Sequence, residues 1–358
     1  MRVIRSKAPL RISFAGGGTD VPPYPSQEGG CVLSTTINKF AYVSLIPRQD
    51  KNINISSLDF DIMAKYNVDQ EVIYDGQLDL VKSVLKNMDI CQGLDMYIHS
   101  DAPPGSGLGS SSTMAVALVG AIKHWLQLPM TDYEVSEKAY FVERKDLKID
   151  GGMQDQYAAS FGGVSFIDFY GENDVVVNPL RINKTIINEL EYSLLLCYTG
   201  GTRLSAKIIE DQVKKYNDKE KKSVKALREL KQITFDMKDA LLRGNLDNFG
   251  DLLHQGWENK KKLSGKISNP NIDGLYHTAR KAGALGGKLL GAGGGGYLLI
   301  YCPFNRRHIV ARKLEDMGGQ IVDFQFDKYG LQTWEATSEV VTEDEDKTMS
   351  EIAATFEQ

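Results

Sequence analysis

Residues Pro103–Thr113 read PPGSGLGSSST and run directly into an apolar stretch, MAVALVGAIK, at Met114–Lys123. Glycines at 105, 107 and 109 permit close backbone approach and positive φ, and four hydroxyls, Ser110 to Thr113, stand where a helix would begin. Amides at a helix start are unpaired and carry partial positive charge, so they bind phosphate well. The preceding Leu94–His99 alternates apolar and polar residues, as a half-buried strand does. Strand, glycine loop and helix form the context of a phosphate cradle. A flexible connector with an N-cap has the same composition, so the loop alone leaves both readings open. No Gly-Lys-Ser/Thr follows the glycines, which excludes a Walker A loop.

Glycine recurs in this way along the chain. There are 34 glycines in 358 residues, clustered at 16–18, 105–109, 151–163 and 283–296. Several separated clusters suggest backbone converging on a ligand rather than one linker. The formal net charge of −5 argues against non-specific binding to nucleic acid or anionic membranes. Acidic residues (Asp218, Glu220, Glu229) interleave the lysine-rich Lys214–Lys231 with no aromatic platform, which reads as a solvated helix face. No apolar run approaches the roughly 18 residues of a spanning helix, and the N-terminus lacks the apolar core of a signal peptide. The four cysteines (31, 91, 197, 302) are scattered without metal-ligand spacing. The expectation is a reduced, cytoplasmic protein without nucleic-acid or membrane partners.

Strand and helix signals alternate with both local orders, which predicts an α+β chain in two units, 1–185 and 186–358, each with its own core. Helical patterns occupy about 78–88, 112–126 and 132–146, the last opened by a capping box at Thr131–Glu134. A long charged helix is expected from 204 to 242, interrupted near Asn217, with others near 246–263, 272–282 and 306–317.

Three further segments carry chemistry. In Ala8–Asp20 (APLRISFAGGGTD), Arg11 lies inside an otherwise apolar strand, where a charge must be paired or hold an anion. An ion pair with Asp20 is one solution, and Asp20 is also a natural acceptor for sugar hydroxyls. The second holds Glu143 near a helix end and Asp155 just beyond the pair Gly151–Gly152. One acid can bind magnesium together with substrate phosphates, and the other can orient a nucleophilic hydroxyl and accept its proton. Either alone also reads as a surface carboxylate. The third, Gly286–Tyr297 (GGKLLGAGGGGY), is too glycine-rich for a helix interior. It is a tight turn against another loop or a turn closing over the nucleotide loop. Near it in character, Tyr198–Ser205 (YTGGTRLS) is either an anion site using Arg203 or a strand-to-helix turn capped by Thr202.

The glycine segments, in this order and at these separations, resemble the GHMP kinase superfamily over nearly the whole chain. Within it, APLRISFAGGGTDVPPY at 8–24 and GGMQDQYAASFGG at 151–163 are most similar to the bacterial heptose phosphate kinases. The resemblance implies an N-terminal domain like ribosomal protein S5 domain 2, a ferredoxin-like C-terminal domain and a site between them that uses ATP and Mg²⁺. It implies phosphorylation of the anomeric hydroxyl of D-glycero-D-manno-heptose 7-phosphate. L-fucose or another hexose is the alternative acceptor, and a non-catalytic sugar or nucleotide sensor is the alternative of a different class. Residue by residue, Pro104, Gly105, Ser106, Gly107, Leu108, Gly109, Ser110, Ser111 and Ser112 would wrap the ATP phosphates. Ser111 and Glu143 would hold the metal, and Asp155 would be the base with Arg11 beside it. Gly17, Gly18, Thr19, Asp20 and Arg203 would bind the substrate, and Gly291–Gly296 would support the nucleotide loop. The chain departs from many relatives in reading Met153-Gln-Asp-Gln156, one residue more than Met-Asp-Gln. Lys7, near the first motif, is given no catalytic role.

Overall fold

The computed structural model describes residues 2–59, 62–171, 174–201 and 206–337. Its spine is a long antiparallel pair, β1 (Arg2–Ala15) and β2 (Gly30–Pro47), joined through the short helix α1 (Tyr24–Glu28). The pairing register shifts between Pro9 and Arg11 and again between Ser13 and Ala15. Such bulges bend a strand and re-aim its side chains. Arg11 sits on the first of them.

On one side of the spine follow β3 (Asn52–Ser57), β4 (Ile62–Asn67) and β5 (Leu94–Ser100), with α2 (Asp79–Asn87) connecting β4 to β5. α3 (Ser110–Trp125) lies across this sheet, buried along nearly its whole length. Behind it come α4 (Asp132–Tyr140), which has the expected capping box at Thr131 and Glu134, and a π-helical turn at Phe141–Asp146. Then follow α5 (Gln154–Phe161), β6 (Val164–Phe169) and β7 (Val175–Pro179).

After α6 (Lys184–Ser193), β8 (Leu194–Tyr198) starts a second sheet. The helices α7 (Ala206–Asn217), α8 (Lys221–Leu242), α9 (Leu246–Lys261) and α10 (Pro270–Lys281) precede β9 (Gly286–Leu289) and β10 (Tyr297–Tyr301), with α11 (Arg307–Glu315) and β11 (Gln320–Val322) beyond. The strand order β11-β8-β10-β9, all antiparallel, is the ferredoxin-like arrangement. The last strands, β12 (Phe326–Asp327) and β13 (Gln332–Thr337), leave this sheet. They pair with β2 and β1 of the first, giving the order β13-β1-β2-β5-β3-β4, with β12 and β6 attached along β2 and β7 beyond β6.

That return carries part of the segment 186–358 back to the first sheet, where β13 covers the outer edge of β1. Leu331 also seats directly on Gly120 of α3, at a distance that leaves no room for a Cβ there. Each unit has an apolar cluster of its own, and a third cluster joins them. Leu10, Ile12 and Phe14 of β1 share one apolar cluster with Leu196 of β8, Met237 of α8, Phe249 of α9 and Leu299 of β10. β1 thus joins the two units through a shared apolar cluster at the floor of the cleft.

Candidate active site

The strand–loop–helix reading holds: β5 leads through a loop into α3, whose first residue is Ser110. Gly105, Gly107 and Gly109 all have positive φ, and no side chain caps the helix start at Gly109. The amides of the first turn are therefore left for a ligand. The glycine turn after β9 lies against this loop. A Cβ on Gly107 would come within 2.6 Å of the Leu290 carbonyl oxygen, and the Tyr297 amide donates to the Ser106 carbonyl at 3.1 Å. β1 grips the same loop, since the Arg11 amide donates to the Leu108 carbonyl at 3.1 Å and Nη1 of Arg11 to the Gly107 carbonyl at 2.6 Å.

Arg11 does not pair with Asp20. Its Nε and Nη2 both contact Oδ1 of Asp155, at 2.7 and 2.6 Å, with the guanidinium almost fully buried. Among the described residues no hydrogen bond ends on Oδ2 of Asp155, which flanks Gly109 at the wall of a polar cavity. Asp20 reaches the same cavity differently. Its Oδ1 accepts from the Gly18 amide at 3.0 Å, and its Oδ2 from the amide and side chain of Gln154 at 3.2 and 3.0 Å. Burial raises its pKa above the usual carboxylate value, against those hydrogen bonds and with the charge of Asp155 pushing the same way. Gly152 is required beside it, because a Cβ there would fall 1.9 Å from Oδ2 of Asp20.

Glu143 lies in the π-helical turn, where one extra residue per turn re-aims side chains, and is 1% exposed. Its Oε1 accepts from the Ser111 hydroxyl at 2.7 Å and its Oε2 from the Gln156 amide group at 2.6 Å. The insertion at Met153-Gln-Asp-Gln156 now has a physical sense. The first three residues of α5 each hold a different part of the site: Gln154 takes Asp20, Asp155 takes Arg11, and Gln156 takes Glu143.

The cavity wall includes Gly17, Gly18, Gly105, Gly107 and Ser110–Ser112, together with Arg11, Asp20, Glu143 and Asp155. Four residues of the expected site lie off that wall. Leu108 and Ser106 are buried under the loop, and Pro104 faces a neighbouring cavity. Thr19 is the fourth. Its hydroxyl donates toward the Gly16 and Cys31 carbonyls and accepts from the Cys31 amide, so it ties the glycine turn to β2 instead of facing a ligand. Arg203 and Thr202 lie outside the described residues. Two features went unread in the sequence. One is the neighbouring cavity of about 590 Å³, walled by Leu80, Val81, Ile98, Met114 and Ile149 and sharing Ser110 and Ser111 with the polar one. The other is Lys260 of α9, which enters the polar cavity wall.

Residues 78–163 match the family of GHMP kinases N terminal domain, and residues 237–320 match that of GHMP kinases C terminal. A D-glycero-alpha-D-manno-heptose 7-phosphate kinase of Campylobacter jejuni is 38% identical over 93% of this chain and 99% of its own. The chain belongs to the GHMP kinase family. A solved structure described as a D-glycero-D-manno-heptose 1-phosphate kinase from Bacteroides thetaiotaomicron superposes with a TM-score of 0.79 at 36% identity, covering 94% of this chain and 100% of that one. Lactococcus lactis galactokinase complexed with galactose shares the GHMP kinase fold, with a TM-score of 0.72 at 19% identity over 92% of this chain and 95% of its own. No helix among the described residues is long and apolar enough to cross a membrane. Cys31, Cys197 and Cys302 are buried free thiols, and Cys91 is free and exposed.

Proposed function

We propose that this chain is an ATP-dependent sugar kinase of the cytoplasm that phosphorylates the anomeric hydroxyl of D-glycero-D-manno-heptose 7-phosphate, giving the 1,7-bisphosphate that precedes nucleotide activation of the heptose. The observation that carries the reading is the Arg11–Asp155 pair set against an uncapped helix start in one cavity. Amides from Gly105 to Ser112 hold the ATP phosphates, and the 590 Å³ cavity beside them takes the adenine against Leu80, Ile98 and Met114.

The donor set at Ser111 and Glu143 suits magnesium. One hydroxyl and one carboxylate adjoin at 2.7 Å, both hard oxygen ligands, and no group of three acids or histidines among the described residues can hold a metal alone. Phosphate oxygens and water would supply the remaining ligands, as in magnesium sites on nucleotides. When bound with the nucleotide, the ion supplies neutralisation of phosphate charge.

The chain's own residues do the rest. Arg11 fixes Oδ1 of Asp155, so Oδ2 is the atom available to the sugar. Oδ2 takes the proton of the C1 hydroxyl as its oxygen bonds to the γ-phosphorus and the bridging bond to the β-phosphate breaks, releasing ADP. Asp20, given room by the missing Cβ of Gly152, accepts sugar hydroxyls. Arg203 takes the acceptor's own phosphate.

The names of the two heptose kinase relatives place the existing phosphate differently, at position 7 and at position 1. The test is ADP release by purified protein with ATP and Mg²⁺ across a panel: the heptose 7-phosphate, the heptose 1-phosphate, free heptose, L-fucose and galactose. Turnover with the 7-phosphate well above all others is expected. No ADP with any heptose phosphate or hexose would sink the enzyme reading.

A further inference from the structure

Lys260 stands in the last turn of α9 and is 5% exposed. Its neighbours in sequence are ordinary surface lysines: Lys261 pairs with Glu258 at 2.8 Å and Lys262 lies 3.7 Å from Glu229. Lys260 instead turns inward to the polar cavity that Arg11, Asp20 and Asp155 also line. Its ammonium donates to the Leu289 carbonyl at 3.2 Å and to that of Gly291, and among the described residues it forms no ion pair. An ammonium has three donors, and carbonyl oxygens here take two of them. Burial pushes its pKa down to about 7, the nearby Arg11 pushes further the same way, and Asp20 only partly offsets them.

A buried cation without a carboxylate is unfavourable in the empty protein, by an amount set by its lost hydration. Such a group gains most when an anion arrives. A second buried lysine marks the contrast. Lys288 of β9 donates to the carbonyls of Ser13 and Phe14 at 2.7 and 3.2 Å and joins the two sheets without lining the cavity.

We propose that Lys260 is a phosphate-binding residue of this site, giving its third N–H to an anionic phosphate oxygen of a bound ligand. The assignment rests on the kinase reading, which offers two sources of that oxygen: the phosphoryl group of the nucleotide and the phosphate the acceptor already carries.

The test is direct binding, by calorimetry, to wild type, Lys260→Met and Lys260→Gln. The ligands are a non-hydrolysable ATP analogue with Mg²⁺, heptose 7-phosphate and free heptose, and the melting temperature of each empty protein is measured alongside. The expected result is a loss of at least about tenfold in affinity for one phosphate-bearing ligand, with free heptose bound as by wild type. The empty variants melt at or above the wild-type temperature. A loss confined to the analogue assigns the nucleotide's phosphoryl, and one confined to heptose 7-phosphate assigns the acceptor's phosphate. Affinities within about twofold for both phosphate ligands overturn the proposal. So does an equal loss for free heptose with a lowered melting temperature, which would make Lys260 only a brace for the Leu289–Gly291 turn. Wild type that binds these ligands but phosphorylates no sugar would remove the kinase reading and leave this assignment standing.

Discussion

The two sides of the cleft are encoded in different ways. On the nucleotide side, one continuous run from Leu94 to Trp125 supplies strand, loop and helix, and gives Ile98 and Met114 to the neighbouring apolar cavity, which α2 closes with Leu80 and Val81. On the acid side, Arg11 comes from β1, Asp20 from the turn after it, Asp155 from α5 and Lys260 from α9. These groups meet only because β1 is buried between the two units and its bulge aims Arg11 across to α5. The first side is local and tolerates being read as a motif. The second exists only in the assembled fold, so its residues depend on one another through buried charge.

If that contrast is right, substitutions on the acid side break turnover while nucleotide binding survives. The largest effect is expected for Asp155→Asn, with kcat down about a thousandfold and affinity for an ATP analogue nearly intact. Steady-state kinetics beside calorimetry checks it, and a wild-type rate would remove Asp155 from the proton's path. Glu143→Gln tests the joint between the sides. Its buried contacts to Ser111 and Gln156 predict roughly a hundredfold loss of activity at fixed Mg²⁺, partly recovered as Mg²⁺ is raised. Titrating activity against the metal reads this directly.

On the nucleotide side, Met114→Glu puts a charge into the apolar cavity wall and should raise the KM for ATP about tenfold with the acceptor's KM unchanged. A change in the acceptor's KM alone would reverse the assignment of the two sides. The smallest kinetic effect is expected at Thr19. Its hydroxyl is consumed by the Gly16 and Cys31 backbone, so Thr19→Val should cost about 1–3 kcal/mol of stability in denaturant titrations and leave the KM for the acceptor unmoved.

The same contrast explains what could be read from the chain. The capping box at Thr131, the break at Asn217, the loop at 103–113 and the carboxylates at 143 and 155 have local signatures, and the helices and loop stand where those place them. The backbone partners of the Thr19 hydroxyl have no local signature, because a hydroxyl beside a glycine turn looks alike whether it faces ligand or backbone. α5 was hidden between glycine pairs, which read as loop, so the separate partners of Gln154 and Gln156 were not foreseen. β13 carries little strand signal of its own and is fixed by the open edge of β1, more than 300 residues away in sequence. Lys260 sits in a run of three lysines, and no local pattern distinguishes the one that turns inward.

The central claim is that this cleft places the anomeric hydroxyl between Oδ2 of Asp155 and the nucleotide. Proton–phosphorus correlation NMR on the product from ATP, Mg²⁺ and D-glycero-D-manno-heptose 7-phosphate tests it most directly. The account predicts a new phosphate coupled to the anomeric proton, with the original one still at C7. Transfer to any other hydroxyl would contradict it.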